Sequence, residues 1–378
     1  MVHSTEDEMM QICRKYLLED YMAPVWNGDT VLHESVMFRE DEHAVRLVYP
    51  IAEVYGVYSA DFQMEYKEGV DWTVEYGCFV RLPGSRMPFM PLSRFYPSEH
   101  ENGKDFGCTE AGKPFLGFGE GDTMIRNQVV ISYRHEAAWN GPVVPAQADK
   151  CARFLNKLAK GEEATILFYG DSITTGANSS GRVGVEPFAQ SFPEMVTAML
   201  AKEYGYTVSW DVQPHEEMKQ IGKTGGKVLH YVNTAVGGMD SNWGVANVQS
   251  HVNDYQPDLV ILAFGMNDGH KTREHYMNLT KQIVDSMREN TEADIILLAT
   301  MLPHWRAAGF FGHQIEYEPA LAAYADGYDN VAVAPMTSVH KHLLKRKEYY
   351  HMTGNNVNHP NDFLARVYGM VLMAVMGK

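Results

Sequence analysis

Cysteine is scarce in this chain and poorly spaced for chemistry. The four residues, Cys13, Cys78, Cys108 and Cys151, show no C-x-x-C pattern, so neither a zinc site nor a disulfide framework is indicated and free thiols are expected. Histidine is plentiful, but no pair stands at H-x-x-x-H spacing with a carboxylate between. His340 and His342 are two apart, which on a helix turns them away from each other. No metal and no cofactor is therefore expected. Basic charge is also short, with 32 Lys and Arg against 48 Asp and Glu and a net charge of −16. Such a field repels nucleic acid and anionic membranes and suits a neutral substrate. No run of about 18 apolar residues occurs, and Met1-Val-His-Ser-Thr-Glu-Asp-Glu has neither the basic nor the apolar part of a leader. A cytoplasmic protein without a membrane or nucleic-acid partner is expected, unless a signal peptide has been removed. Assembly into a homo-oligomer is left open.

What remains is ordinary globular material, 45% hydrophobic and 21% charged over 378 residues, enough for two domains. Residues 1–150 read as a β-sandwich or jelly-roll accessory domain after a short helix. Val45/Leu47/Tyr49, Val74/Tyr76 and Val129/Ile131/Tyr133 alternate as half-buried strands do, with turn signals such as Leu82-Pro-Gly-Ser and Gly117-Phe-Gly-Glu-Gly-Asp between them. Asn140-Gly-Pro-Val-Val-Pro-Ala serves as the connector. Residues 151–378 read as a catalytic domain of the α/β class. Six continuous apolar runs (165–168, 208–212, 228–232, 259–264, 295–299 and 331–334) suit parallel strands buried on both faces. Tyr276/Leu279/Ile283/Met287 and Phe363/Val367/Met370/Val371 follow helical spacing. The expectation is a doubly wound, flavodoxin-like parallel sheet with its site at the carboxyl ends of the strands.

The stretch from Ile166 to Gly176, Ile-Leu-Phe-Tyr-Gly-Asp-Ser-Ile-Thr-Thr-Gly, runs an apolar strand into a small-residue turn that carries Ser172. A serine hydroxyl is a weak nucleophile until a base takes its proton, and three later segments offer partners. These are Asn233-Thr-Ala-Val-Gly-Gly238-Met-Asp-Ser, Gly265-Met-Asn267-Asp268 and Asn356-Val-Asn-His359-Pro-Asn-Asp362. Together with the serine motif they resemble the SGNH or GDSL-like hydrolases, a family named for Ser, Gly, Asn and His in four blocks. Ser172, Gly238, Asn267 and His359 match those blocks in order.

The resemblance covers the chain from about residue 160 onward. It implies Ser172 as nucleophile, His359 as base, and an oxyanion hole made by the Ser172 and Gly238 backbone amides with the Asn267 side chain. Singly, each block has an ordinary reading: a glycine loop turn at 237 and 238, or a strand exit that caps the helix starting near Lys271. His351 is a rival base or a substrate contact. The sequence departs from the family three residues before the histidine, where Asn356 stands in place of the usual Asp. An Asn oxygen can fix the imidazole tautomer but brings no negative charge, so Asn356 is a candidate histidine partner within a Ser–His dyad. Asp362 fits a helix-terminal role, and Asp171 and Asp268 fit loop anchoring.

A β-sandwich ahead of such a domain, together with a missing acid, resembles the two-domain carbohydrate acetyl esterases of carbohydrate esterase family two. That likeness implies removal of acetyl groups from plant cell-wall carbohydrate, such as acetylated xylan or its oligosaccharides, with Trp243 and Trp305 as candidate sugar contacts. A broad small-ester or lipid esterase is the alternative, because Phe310 and Phe311 could line an acyl pocket. A non-catalytic carbohydrate-binding protein is the alternative of another class.

Overall fold

Alternating apolar residues turn one face of a strand inward, and the N-terminal region is built on that pattern. In the computed structural model, which describes residues 6–211 and 227–378, eight strands precede the serine motif. They are β1 (Thr30–Met37), β2 (Ala44–Val45), β3 (Glu53–Ser59), β4 (Trp72–Glu75), β5 (Cys78–Arg81), β6 (Asp105–Gly107), β7 (Phe115–Gly117) and β8 (Gln128–Arg134). They pair antiparallel as β1-β8-β3, β2-β5-β4 and the ribbon β6-β7. Val129, Ile131 and Tyr133 lie in β8, and because β8 is the central strand their alternate neighbours are buried as well.

Two of the expected strand residues behave otherwise. Leu47 and Tyr49 are buried in irregular backbone beyond the two-residue β2, where the Tyr49 hydroxyl donates to the Val25 carbonyl at 2.9 Å. Tyr76 is fully exposed at the tip of the β4–β5 hairpin, with φ +51° beside Gly77 at +74°. A two-residue hairpin turn of this kind needs positive φ at both positions, and that need outweighs the apolar preference of a tyrosine ring.

The six apolar runs of the second half become β9 (Ala164–Gly170), β10 (Thr207–Trp210), β11 (Val228–Asn233), β12 (Leu259–Ala263), β13 (Asp294–Leu298) and β14 (Val331–Ala334). Val212, expected at the end of one run, lies outside the described residues. The strands form one parallel sheet in the order β10-β11-β9-β12-β13-β14. The chain steps from β9 to one side and later returns to the other, so the switch point lies beside β9, where ligand crevices form in open α/β sheets.

The continuous apolar runs are explained by what covers each face. Ile166 and Phe168 of β9 join one apolar cluster, while Leu167 and Tyr169 join another. The second cluster takes in residues of the helices Ser241–His251, Arg273–Asn290 and Gln314–Ala325. The first takes in the helices Phe192–Tyr204 and Asp362–Val375, and it continues without a break into Val36, Phe38, Phe79, Val129 and Ile131 of the N-terminal strands. The antiparallel region is therefore welded to one face of the parallel sheet.

Buried polar contacts fix that junction. Lys347 and Glu34 form an ion pair with both side chains fully buried, and Lys347 also donates to the Ser35 carbonyl at 2.9 Å. Arg366, buried in the last helix, donates to the Tyr21 carbonyl at 3.2 Å and to that of Leu32, and lies 4.4 Å from the Tyr21 ring centroid. A buried ion pair adds little net stability, but losing either partner is costly, so Glu34 and Lys347 specify how the parts meet. Among the described residues no helix is long and apolar enough to cross a membrane.

Candidate active site

Strand β9 ends at Gly170, where a Cβ would stand 2.5 Å from the Thr174 hydroxyl and 2.6 Å from the Ala263 carbonyl oxygen. Only glycine lets the chain turn this closely against β12. The next residue, Asp171, is buried and accepts the Ile173 N–H at 2.9 Å. Burial pushes its carboxyl up to about 7, against the pull of the Ile173, Met266 and Thr174 backbone N–H groups that bond it. The carboxylate thus ties the serine turn to the block that begins at Gly265. Ser172 follows, 9% exposed.

The Ser172 Oγ lies 2.8 Å from His359 Nε2. The other ring nitrogen, Nδ1, lies 2.6 Å from Asn178 Oδ1 and 3.4 Å from Glu120 Oε2. With Nδ1 protonated and bonded to Asn178, Nε2 is the free base facing the hydroxyl. Asn178 comes from the loop after the nucleophile, where its φ is +65°, a left-handed conformation that asparagine tolerates better than most residues. Glu120 comes from the Gly-rich turn after β7.

His359 is held by its own loop. Asn355 Oδ1 accepts the N–H groups of Val357, Asn358 and His359 at 3.0 to 3.1 Å, and its Nδ2 donates to Glu120 Oε1 at 3.2 Å. The Thr353 hydroxyl donates to the His359 carbonyl at 2.9 Å. From the N-terminal sheet, Gln128 Nε2 donates to the Thr353 carbonyl at 2.9 Å, and Ser35 Oγ donates to that of His351 at 2.6 Å. Strands β1 and β8 therefore carry the histidine loop on their ends.

The other two blocks meet at the same strand edge. A Cβ on Gly237 would stand 3.8 Å from that of Ser172, and Gly238 has φ +78°. Asn267 Nδ2 donates to the Met239 carbonyl at 2.9 Å, which leaves its second amide hydrogen unspent in that bond. Neither the Ser172 nor the Gly238 backbone N–H is used on a backbone carbonyl among the described residues. Asp268 locks the two blocks together: it accepts the Ser241 N–H at 3.1 Å and the Ser241 hydroxyl at 2.5 Å, and it pairs with buried Lys271 at 2.8 Å. Lys271 also reaches Asp240 at 2.6 Å. Gly237 thus lies beside Ser172, and Asn267 is tied to the residue after Gly238.

Several sequence expectations are corrected here. Asn356 is not placed as the histidine's partner: its Nδ2 donates to the Gly117 carbonyl at 2.8 Å, its backbone is left-handed at φ +71°, and Asn178 and Glu120 occupy Nδ1 instead. His351 is buried, and its Nδ1 accepts the Met37 N–H at 3.1 Å. Burial holds its pKa well below the ordinary value, so it is a neutral structural ring rather than a rival base. Trp243 packs on Tyr169, His251 and Phe264 in the apolar layer beneath the sheet, whereas Trp305 stands 40% exposed. Asp362 accepts the Ser180 N–H at 2.8 Å. Sequence reasoning missed Asn178 and Glu120 altogether, because Glu120 was visible only as part of a turn and Asn178 carried no spacing signal. Among the described residues no cluster of three or more His, Cys, Asp or Glu is placed to hold a metal ion.

Residues 168–366 match the GDSL-like lipase/acylhydrolase family. The chain belongs to that family. The match starts in β9 and ends in the last helix, so this GDSL-like hydrolase carries all four blocks inside it. No curated protein is significantly similar in sequence. Among solved structures, a two-domain esterase (CEX) active on acetylated mannans is 18% identical with a TM-score of 0.43, over 60% of this chain and 53% of that one. An acetylxylan esterase from Geobacillus stearothermophilus is 14% identical with a TM-score of 0.43, over 57% of this chain and 94% of that one. The hydrolase thus spans about half the length of the mannan esterase, and likenesses at this level fix no substrate.

Proposed function

We propose that this GDSL-like hydrolase is a serine esterase that removes acetyl groups from plant cell-wall carbohydrate, such as acetylated xylan or its oligosaccharides, through an acyl-enzyme. The observation that carries the reading is the 2.8 Å contact between Ser172 Oγ and His359 Nε2, with Nδ1 of the same ring engaged on its far side. As Oγ bonds to the ester carbonyl carbon, its proton passes to Nε2 and the carbonyl electron pair moves onto oxygen, facing the Ser172 and Gly238 N–H groups and the Asn267 amide. Collapse of that adduct breaks the bond to the alcohol oxygen, which takes the proton from Nε2. Water then repeats the sequence and frees the acid.

A polar, ring-shaped alcohol is supported by a cavity of about 640 Å³ that Glu120 and Asn356 help to line, next to the His359 loop rather than around Ser172 itself. Charged Arg94 and Lys104 line it together with half-buried Phe118, a mixture suited to hydroxyl groups and a sugar face. A broader esterase is favoured by one observation, the exposure of Trp305 and Phe311 on the loop between the Asn267 and His359 blocks. Acetate release from acetylated xylo-oligosaccharides, compared with turnover of long-chain aryl esters, separates the two. The carbohydrate reading is lost if only the aryl esters turn over. Labelling of Ser172 by a fluorophosphonate separates both from a non-catalytic binding protein.

A further inference from the structure

A base of the serine–histidine kind needs two things at its far nitrogen: an acceptor that fixes the tautomer, and negative charge that stabilises the imidazolium formed when the serine proton arrives. In most such sites one carboxylate does both. Here the two functions fall on different side chains from different parts of the chain. Asn178 Oδ1, at 2.6 Å from Nδ1, is the closer acceptor but is neutral. Glu120 Oε2, at 3.4 Å, brings the charge.

We infer that Glu120, carried by the turn after β7 of the N-terminal antiparallel region, is the electrostatic positioning residue of this active site, while Asn178 fixes the tautomer. The inference rests on the esterase reading of Ser172 and His359. Its geometry is built rather than incidental, because Asn355, the residue that organises the His359 backbone, also donates to Glu120 Oε1 at 3.2 Å. One side chain therefore sets both the base and its counter-charge. Burial acts to raise the Glu120 carboxyl, but bonds and charge from His359, with hydrogen bonds from Asn355 and Asn178, outweigh it and hold the group below its ordinary value. The side chain is 54% exposed, so solvent and salt moderate the attraction.

The carboxyls of the serine and histidine motifs are committed to backbone groups. Asp171 bonds the Ile173 N–H and Asp362 bonds the Ser180 N–H. In the cavity beside Glu120, Lys104 pairs with Glu101, and Asp105 pairs with His100 at 2.7 Å. Arg94 and Glu99 line the same cavity. Glu120 breaks and forms no covalent bond in the reaction; the proton stays on the imidazole until the leaving oxygen takes it.

The test uses the full chain, p-nitrophenyl acetate and the variants Glu120→Gln and Glu120→Asp. Removing the charge should lower kcat by roughly 10²-fold with little change in KM. It should also move the acidic limb of kcat/KM to lower pH, because a neighbouring anion favours the protonated ring. Glu120→Asp, which keeps the charge, should hold that limb nearer to its wild-type position. A Glu120→Gln enzyme within twofold of wild type, or one that loses kcat while the limb stays in place, overturns the inference and leaves the esterase reading intact. If the variant does not fold, the limb in Glu120→Asp and its response to added salt decide in the same way. A wild-type protein that neither hydrolyses the ester nor labels with a fluorophosphonate overturns both.

Discussion

A Cβ on Gly354 would stand 2.4 Å from the Cβ of Asn178. The loop that delivers the histidine and the loop that follows the nucleophile are thus pressed together with no room for a methyl group, and the residue displaced first is the one that holds Nδ1. Gly354→Ala should lower kcat at least about tenfold, since a shift on the order of 1 Å in a catalytic group costs about that much or more, and it should lower Tm as well. Kinetics on a simple acetate ester together with a thermal melt check both. Unchanged kinetics would mean that the two loops can part without disturbing His359.

Ser172→Ala should abolish turnover and leave the melting temperature close to wild type, because it removes one small hydroxyl. His359→Ala should be nearly as damaging, and the double variant hardly worse than either, as for residues that act as a unit. His351→Ala should instead cost stability, because it strips the Met37 N–H of its acceptor. The discriminating result is which histidine variant loses kcat and which loses Tm.

Asn356→Asp places a carboxylate three residues before His359, where the resemblance to the SGNH pattern leads one to expect it. The side chain here faces the Gly117 carbonyl rather than the imidazole, so the acidic limb of kcat/KM should stay in place. The new charge would meet that carbonyl oxygen and lose the amide donor, which should destabilise the protein by about 1–3 kcal/mol. A limb that moved to higher pH would show that residue 356 does reach the ring.

Asp171 should leave a mark on the pH dependence of stability. Its carboxyl, pushed up to about 7 by burial, stands above the unfolded value of about 3.9. Between those values the folded chain keeps a proton that the unfolded chain has lost. The contribution is therefore fully present below about pH 3.9 and is lost as pH rises through about 7. Asp171→Asn, which cannot ionise, should flatten that part of the decline in Tm. Equal slopes in the two proteins would place the titration elsewhere.

The hydrolase sheet was legible because β9, β12, β13 and β14 are buried on both faces, and such apolar runs survive in a sequence whatever the loops do, whereas β10 exposes Ser209 and β11 carries His230. The site was legible where one short segment carries both a residue and its setting, as with Gly170-Asp-Ser172 or His359-Pro360. It was not legible where the partner arrives from afar. Glu120 lies in a turn that bends the same way with almost any polar residue, and only the fold brings it to His359. Asn356 misled because its position in the motif is right while its left-handed backbone turns the side chain away. Tyr76 misled because a turn's need for positive φ took precedence over the alternation.

The buried pair Glu34 and Lys347 has a consequence for how the chain is made. The partners are 313 residues apart, and a ribosome adding about 5–20 residues per second needs roughly 15 to 60 s to cover that interval. For all of that time the first strand has emerged with an acidic group that its own neighbours cannot neutralise, beside apolar residues whose cover is still unsynthesised. The N-terminal sheet is then an early product that must wait for Lys347, and the newborn chain stays exposed to misassembly until that residue arrives.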